Sequence, residues 1–550
     1  MTINPSTVGH DTYDLLDGSL SSFYQDVDEA IVASEVVKGQ YRLTVNPAYN
    51  SPNPVAINNF TTVALSQSGP MVVDLDNSFI TANATMEISL DKITAPTLKA
   101  GTEYAAFFIG WKSSVEAINR YDVLVNSTPI YNQSFCGEES FLQYQVINEN
   151  VKHTSPYIYS SYDEVKNMSP NVCGTYVILD VSADIAAGTK HKVEIPIKIP
   201  INNFCILKNV KYLLSWMGKW ELRLYFNYEN MVVMAIDYNV FKNSGFAAAN
   251  EKCLISNPQF TQISEPFNFL FATKDRVGLN NIHVETMTFN DVEMVSAQFQ
   301  LRMDICEMLK QKYLGGKPLT FPVSTFQIAK FTQPVGQAGV ISANSSEQLN
   351  CVLCQAINNC DTLFIIPYLH GTNHTVCTNP HLTNFQLHAG EYGTYPTQPF
   401  DTFEVDGPTT RLIRYVNIIS DCLNVNSSSL TSFNSDAWGA HRYQLPIAGG
   451  HITRATVDSS YIGPNGVSYD QSNFFIGIPF STDDDFQGGL SSPSSNINFK
   501  ITGQIYNQTG SAITYTTPWT AAFLIDGVLM IRPDPGSDAA KVIWSDRTVV

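Results

Sequence analysis

Apolar and polar residues alternate along much of the chain, and the clearest example lies in residues 117–133. Hydrophobic side chains recur at every second position from Tyr121 to Val125, Asn126-Ser127 then interrupts the run, and Ile130-Tyr131 follows. A period of two that ends in turn-forming residues is typical of a half-buried β-hairpin. We therefore predict two strands joined by a tight turn in this segment.

A weaker version of the pattern returns in residues 281–294. A strand-like run there leads to Asn290-Asp291, and Val292-Glu293-Met294 follows. Repetition of one local unit within a chain is the sequence sign of a repeated architecture. The two segments therefore predict two β domains of one kind in tandem.

The same alternation predicts further strands through most of the sequence. Prolines in alternate positions of Val193–Ile201 forbid a regular ladder on one side, so this segment is predicted to be an edge strand. Asp526-Gly527 is a strong turn signal and predicts a hairpin within Ala521–Ile531. The other predicted strands are residues 41–45, 61–65, 71–75, 84–90, 104–111, 174–181, 220–226, 267–272, 282–289, 297–303, 319–331, 361–369, 410–419, 473–480 and 498–506.

Three segments are predicted to contain helix. Cys136–Val151 is predicted to be a short helix or polar insertion, and Asp304–Tyr313 a short helix that stops at Gly315-Gly316. Residues 11–34 carry a loose apolar stripe that must dock elsewhere on the chain or on a neighbour. The stripe consists of Leu15, Leu16, Leu20, Phe23, Val27 and Ile31.

These elements predict a domain organisation with two long irregular excursions, at residues 370–408 and 424–472. Loops of such length in a β protein are usually functional surfaces or subunit contacts. The predicted parts are an N-terminal arm at 1–40, a first β domain at 41–245, a connection at 246–265, a second β domain at 266–532 and a C-terminal tail at 533–550.

Composition and charge limit the classes of function that the chain can have. Of the 550 residues, only 15% are charged and 11% are aromatic, which favours many strands over long surface helices. The net charge of −18 argues against specific nucleic-acid binding, because phosphate contacts need clustered Lys and Arg. We find no apolar run long enough to span a membrane. Acidic residues stand where a signal peptide would be basic, so we expect folding in a reducing intracellular space, with the ten cysteines as free thiols.

A zinc-finger-like spacing is the sharpest candidate for chemistry. Cys351-x2-Cys354 is followed by His370-x3-His374, with Cys360, Cys377 and His381 nearby. The intervening Leu363–Leu369 run predicts a buried strand rather than the compact unit of a zinc finger, and cysteines on such a strand are ordinary small core residues. We favour the core interpretation over metal binding and assign no metal ligand.

Other motifs are weaker still. Asp483-Asp484-Asp485 lacks the spaced ligands of a calcium loop, and Gly315–Pro318 lacks the remaining residues of a phosphate loop. No nucleophile elbow, dinucleotide fingerprint or H-E-x-x-H motif occurs. Carboxylates are plentiful, but the sequence does not place two at the separation that a glycosidase needs. We assign no catalytic residue and no cofactor, and predict that the chain is not an enzyme.

Two regions of the chain carry a resemblance to a known family. One is the hairpin Ile118–Tyr131 followed by the helical segment Glu138–Gln145, and the other is Ile206–Phe226, an apolar approach to Trp216 followed by an alternating strand. In these regions the chain resembles the double jelly-roll major capsid proteins of eukaryotic double-stranded DNA viruses, especially those of virophages and polinton-like viruses. The similarity extends from about residue 40 over most of the chain.

This resemblance implies an all-β fold of two tandem eight-stranded antiparallel jelly-roll sandwiches with short helical insertions and long loops. It also implies a homotrimer that forms a pseudo-hexagonal capsomer and tiles an icosahedral shell. The expected partners are neighbouring capsomers, penton proteins and minor capsid proteins, in a virion assembled in the host cytoplasm or nucleus. The resemblance also implies that the arm at 1–40 and the tail from Pro533 are tethers between capsomers or to minor proteins.

Two other classes of protein share this composition. A β-rich viral protein that binds a receptor or a glycan would also have many aromatic residues and long loops. A glycoside hydrolase on a β scaffold is the third possibility. Glycan binding would favour the former, sugar hydrolysis would favour the latter, and inert trimers would favour the capsid protein.

Overall fold

The structure is a computed structural model, and it describes a little over half of the chain in separate stretches. The described residues are 10–33, 39–44, 50–51, 60–90, 104–111, 113–146, 157–159, 173–180, 183, 186–226, 232–237, 282–315, 318–332, 339–342, 345–367, 382–402, 418, 475–480, 489–492, 495–507, 512–514, 518–533 and 540–545.

Antiparallel strands dominate these residues, and helices are few. The α-helices are α1 (His10–Ala33), α2 (Cys136–Val146) and α3 (Met303–Leu314). The strands of the first part are β1 (Gly39–Thr44), β2 (Asn50–Ser51), β3 (Thr61–Ala64), β4 (Met71–Leu90), β5 (Tyr104–Gly110), β6 (Ile118–Val125), β7 (Thr128–Gln133), β8 (Gly174–Asp180), β9 (Thr189–Pro200), β10 (Tyr212–Leu214), β11 (Trp220–Phe226), β12 (Val232–Asp237) and β13 (Ile282–Gln300).

The second part adds a further set of strands. They are β14 (Leu319–Lys330), β15 (Val340–Ile341), β16 (Ser345–Gln348), β17 (Cys351–Gln355), β18 (Cys360–Ile366), β19 (Leu382–Ala389), β20 (Thr394–Phe400), β21 (Ile476–Pro479), β22 (Ile497–Asn507), β23 (Ile513–Thr514), β24 (Thr520–Pro533) and β25 (Ala540–Ser545). Short 3-10 turns occur at Ser114–Ala117, Ile201–Asn203, Cys205–Leu207, Ser215–Met217 and Gly390–Tyr392.

Two sheets in the second part pair early strands with late ones. One sheet has the order β14-β24-β18-β21, and the other has the order β16-β22-β19-β20 with β17 also on β22. Strands from the start of the unit therefore lie beside strands from its end in both sheets. This nested antiparallel order is that of a jelly roll.

The first part repeats the arrangement. In one sheet β1 pairs with β13, β13 with β4, and β4 with β9, while the other sheet has the order β3-β11-β6-β7. The strands β12, β5 and β8 form a separate three-stranded antiparallel sheet in that order. The fold is all-β with two units of one topology, as predicted, while the count of eight strands in each remains a prediction.

The hairpin turn and the edge strand follow their sequence patterns, but the predicted half-buried alternation of β6 is wrong, because Asp122 and Leu124 are buried together with Tyr121, Val123 and Val125. Asn126 and Ser127 both have positive φ, as in the two-residue turns whose backbone matches the twist of paired strands. β9 pairs with β4 alone among the described strands, its alternate valine and isoleucine side chains are buried, and Pro196 is exposed. β11 likewise alternates between buried and half-buried positions. The helix predictions at 136–151 and 304–313 are confirmed as α2 and α3.

Two predicted breaks do not occur. The strand β4 runs unbroken through both 71–75 and 84–90, which were predicted as two strands. The strand β13 likewise runs unbroken to Gln300, where two strands were predicted at 282–289 and 297–303. The Asn290-Asp291 signal produces a bulge in the ladder with β4, with Asp291 at a φ of 51°, rather than a turn. A bulge absorbs the extra residue while the partner strand keeps both halves aligned.

The strand β13 also corrects a domain assignment. The predicted second domain begins at 266 and includes this strand, but β13 pairs with β4 from Met71 to Leu90 and with β1. It therefore belongs to the first unit. The other predicted boundaries stay predictions, and the predicted connection at 246–265 and strand at 267–272 lie outside the described residues.

Three further expectations change in the second unit. Asp526-Gly527 lies inside the unbroken strand β24, opposite Ser324 and Val323, and makes no turn. The predicted tail contains β25, which pairs with β24. The excursion predicted at 370–408 contains β19 and β20, whose strand pattern is hidden by prolines and polar residues but leaves Phe385 and Phe400 stacked and fully buried.

Candidate functional site

The contact region between the two units, here called the seam, combines shared core residues with a buried carboxylate. Each unit has its own hydrophobic core, and each core takes residues from the other unit. Phe321 and Ile531 of the second unit belong to the core of the first, and Phe141 and Cys205 of the first unit belong to the core of the second. The two sandwiches therefore share buried apolar surface, which is the dominant favourable term in association.

Side chains of the first unit satisfy one edge of β14. The amide of Asn209 donates to the carbonyl of Pro322 at 2.7 Å, and the amide of Gln133 donates to the carbonyl of Phe326 at 3.0 Å. An unpaired strand edge is a template for unwanted pairing with another chain, and proteins usually cover or interrupt it. The seam covers part of this edge.

The helix α1 packs across both units. Its Phe23 is fully buried, with ring centroids 5.0 Å from Tyr313, 6.4 Å from Trp216 and 6.2 Å from Phe321. Lys312 and Tyr313 of α3 both bind the carboxylate of Asp26. The apolar stripe of this helix thus docks within its own chain from Leu20 to Ala30. The tether role of the arm stays a prediction.

A buried carboxylate, Glu139 in the first turn of α2, organises the centre of the seam. Its side chain accepts hydrogen bonds from the Tyr121 hydroxyl at 2.8 Å, the Gln133 amide at 2.9 Å and the Cys205 backbone N–H at 3.1 Å. Only 1% of Glu139 is exposed. Since Gln133 also donates to Phe326, the network links the two units.

Burial controls the ionisation of this cluster. Desolvation raises the pKa of Glu139 above its ordinary value, although its three donors favour the charged form. Burial and the nearby Glu139 together raise the pKa of the Tyr121 and Tyr131 hydroxyls well above their usual range. Burial likewise raises the pKa of Cys136 and Cys205, so these thiols are poor nucleophiles.

A cleft opens beside this network. Its volume is about 290 Å³, and it lies between the β7 end of the hairpin and the strands β14, β24 and β25. Tyr131 and Trp544 meet edge to face at its rim, with centroids 6.1 Å apart. The lining residues are Tyr131, Asn132, Gln133, Ser134, Phe135, Thr325, Phe326, Gln327, Ile328, Ile525 and Trp544.

The sequence did not predict this site. Gln133 and Glu139 lie in segments that were assigned only as hairpin and helix, and no local pattern marks a glutamate that will be buried by a second domain. Trp544 lies in the segment predicted to be a tail. The one available signal was two glutamates opening a helix, which is the ordinary preference of the helix dipole.

The structure separates the candidate metal ligands. Cys351 is fully buried on β17, and Cys354 on the same strand is exposed. His370, His374, Cys377 and His381 lie outside the described residues, as do Lys317 and Asp483-Asp484-Asp485. The described part of the chain holds no group of three His, Cys, Asp or Glu side chains arranged for a metal ion. The seven cysteines of the described residues form no disulfide with one another.

Comparisons with known proteins give only structural similarities. No protein-family model and no curated protein sequence matches the chain. The chain is similar to viral major capsid proteins. The mavirus major capsid protein aligns over 92% of this chain and 90% of its own, with 10% identity and a TM-score of 0.49. A chain of the Sputnik virophage aligns over 92% and 89%, with 11% identity and a TM-score of 0.46.

A third similar structure is VP54 of PBCV-1. It aligns over 93% of this chain and 97% of its own, with 10% identity and a TM-score of 0.39. Fold similarity does not by itself imply function. In the described residues no helix is both long and apolar enough to cross a membrane.

Proposed function

We propose that this chain is a structural major capsid protein, assembling as trimers that form pseudo-hexagonal capsomers of an icosahedral virus shell. The observation that carries the proposal is the repetition of one jelly-roll strand order in a single chain, with the two units joined by a shared core. Closed cyclic assembly is the common outcome for identical chains. Three copies of a chain with two similar units present six similar units around one axis.

The seam supports this role. A shell subunit must resist the two units moving apart, and α1, the Glu139 network and the amide caps on β14 all oppose that separation. Covered or proline-containing edges limit strand pairing between copies to intended contacts. Neighbouring capsomers, penton proteins and minor capsid proteins are the proposed partners, in the virion capsid after assembly in the host cytoplasm or nucleus. We propose no catalytic activity.

The solution mass of the purified chain tests the proposal. One chain weighs 60.9 kDa, so a trimer would weigh about 183 kDa. We expect this mass by light scattering across a tenfold dilution, with hexagonal outlines by negative-stain microscopy of the same fraction. A monomer at every concentration would contradict the proposal. A dimer would contradict the trimer while leaving self-assembly in place.

A further inference from the structure

The seam cleft has a lining chemistry that the capsid role does not require. None of its lining residues carries a formal charge at neutral pH, although the chain as a whole has a net charge of −18. The buried Glu139 lies one layer behind, and the Gln133 amide that lines the cleft donates to it. A charged ligand in this cleft would find no ionic partner among the lining residues. The ligand that fits is therefore neutral.

An aromatic wall forms one side of the cleft. Trp544 and Tyr131 line the cleft and are both half-buried, so each keeps part of its surface accessible to solvent. The indole packs closely over Gly527, because an added Cβ at that glycine would lie 2.3 Å from the ring atom Cη2 of Trp544. An accessible, fixed indole is a stacking surface for a ring with an apolar face.

Free polar groups face this wall. The side chains of Asn132 and Ser134 are exposed and form no hydrogen bond within the described residues. The Gln327 amide donates to the Ala356 carbonyl at 3.2 Å, which leaves its Oε1 as an acceptor. A ligand without polar groups would leave these donors and acceptors unmatched, at a cost in affinity. The ligand must therefore carry both a ring face and several hydroxyl or amide groups.

We propose that the seam cleft binds a neutral saccharide, with one pyranose ring against Trp544 and Tyr131 and its hydroxyl groups on Asn132, Ser134 and Gln327. A volume of about 290 Å³ is at the lower end of small-molecule sites, which span about 300–1,000 Å³, and suits one or two sugar rings. A nucleotide would also offer a stacking ring, but its phosphate has no cation in the lining. This inference does not rest on the capsid role.

Asn132-Gln133-Ser134 is an N-glycosylation sequon, so the chain is produced in bacteria to keep Asn132 unmodified. Saturation-transfer NMR on this full chain tests the inference. The probes are the methyl glycosides of glucose, galactose, mannose and N-acetylglucosamine, with sialic acid and AMP as charged comparators. We expect saturable binding of at least one neutral glycoside near millimolar affinity, about −4 kcal/mol, and no binding of either comparator. No saturable binding of any neutral glycoside would overturn the inference, as would equal binding of AMP.

Substitutions then place the ligand. Asn132→Ala and Ser134→Ala each remove one exposed group without disturbing a contact, and each should weaken binding about 2- to 12-fold, the range for one lost hydrogen bond. Tyr392→Ala is the matched control, because Tyr392 is 37% exposed and lies outside the cleft. Unchanged binding in the Asn132→Ala, Ser134→Ala double variant would overturn the inference, since the sugar would then bind elsewhere.

Fluorescence gives an independent reading. Four of the tryptophans, Trp111, Trp216, Trp220 and Trp519, are buried, whereas Trp544 is half-buried in the cleft. A ligand on the indole should change the emission, and Trp544→Phe should remove that change while retaining an aromatic surface for the sugar. An emission change that persists in Trp544→Phe would contradict stacking on this residue. The solution mass tests trimer formation separately, so failure of either proposal leaves the other intact.

Discussion

Asp526 gives a test of how burial within β24 affects stability. Its carboxyl accepts a hydrogen bond from Ser324 Oγ at 2.6 Å on the neighbouring strand. A bulge between Cys360 and Thr362 brings the carboxylate of Asp361 close to it. Burial raises the pKa of Asp526 to about 6, with a smaller contribution from the charge of Asp361. The hydrogen bond from Ser324 opposes this shift.

The sign of the effect follows from this shift. Because the folded-state pKa lies above the unfolded value of 3.8, the folded protein holds this proton more tightly. The associated stability is fully present below pH 3.8 and is lost as the pH rises through about 6. At about 1.36 kcal/mol per pH unit, the loss amounts to about 3 kcal/mol at neutral pH.

Asp526→Asn removes the titration and keeps an oxygen that accepts from Ser324. We expect the variant to be more stable than the natural protein by about 1–3 kcal/mol at pH 7.5, with a difference that shrinks towards zero near pH 4. The measurement is the urea midpoint of both proteins across this pH range, with Ser324→Ala as a control for the hydrogen bond. Parallel pH curves for Asp526→Asn and the natural protein would refute the reasoning.

Three other substitutions test the seam by the same denaturation assay. Phe23→Ala should lower the free energy of unfolding by about 3–5 kcal/mol, because it leaves a cavity between α1, Tyr313 and Phe321. The control Val32→Ala, at a site 79% exposed, should change it by less than about 0.5 kcal/mol. Gly527→Ala should cost about 1–3 kcal/mol because its Cβ meets Trp544, and adding Trp544→Leu should recover part of the loss. Glu139→Ala should cost about 3 kcal/mol by leaving three donors without an acceptor, and Glu139→Gln should cost less. The packing described would be contradicted if Phe23→Ala and Val32→Ala changed the free energy of unfolding equally. It would also be contradicted if Trp544→Leu recovered none of the stability lost in Gly527→Ala, or if Glu139→Ala left stability unchanged.

Local patterns predicted the elements that depend on neighbouring residues in the chain. The turn at Asn126-Ser127, the alternation of β11, the proline-bearing edge strand and the helix ending at Gly315 are all visible in the sequence. Each of them is set by side-chain period or backbone preference within a few residues. The presence of two β units could be predicted for the same reason, because the strand–turn pattern recurs in the sequence.

Long-range pairing decided the rest. Asp526-Gly527 has the composition of a turn, yet β14 pairs with it along the whole strand and Trp544 requires the glycine. Asn290-Asp291 likewise became a bulge because β4 continues on both sides of it. Turn-forming residues favour a turn only where no partner strand offers the backbone a better set of hydrogen bonds.

The seam was beyond prediction from the sequence. Its groups come from separate places, with Phe23 in a helix, Glu139 after a hairpin and Trp544 in an apparent tail. Hydrophobic periodicity shows that α1 has a face to bury, but the tertiary structure alone shows what covers it. The sequence by itself determined the strands, the helices and the all-β class, because these follow from local chemistry. Only the tertiary structure decided that β13 belongs to the first unit, that Glu139 is buried and that a cleft forms beside it. These features depend on contacts between residues that are distant in the sequence.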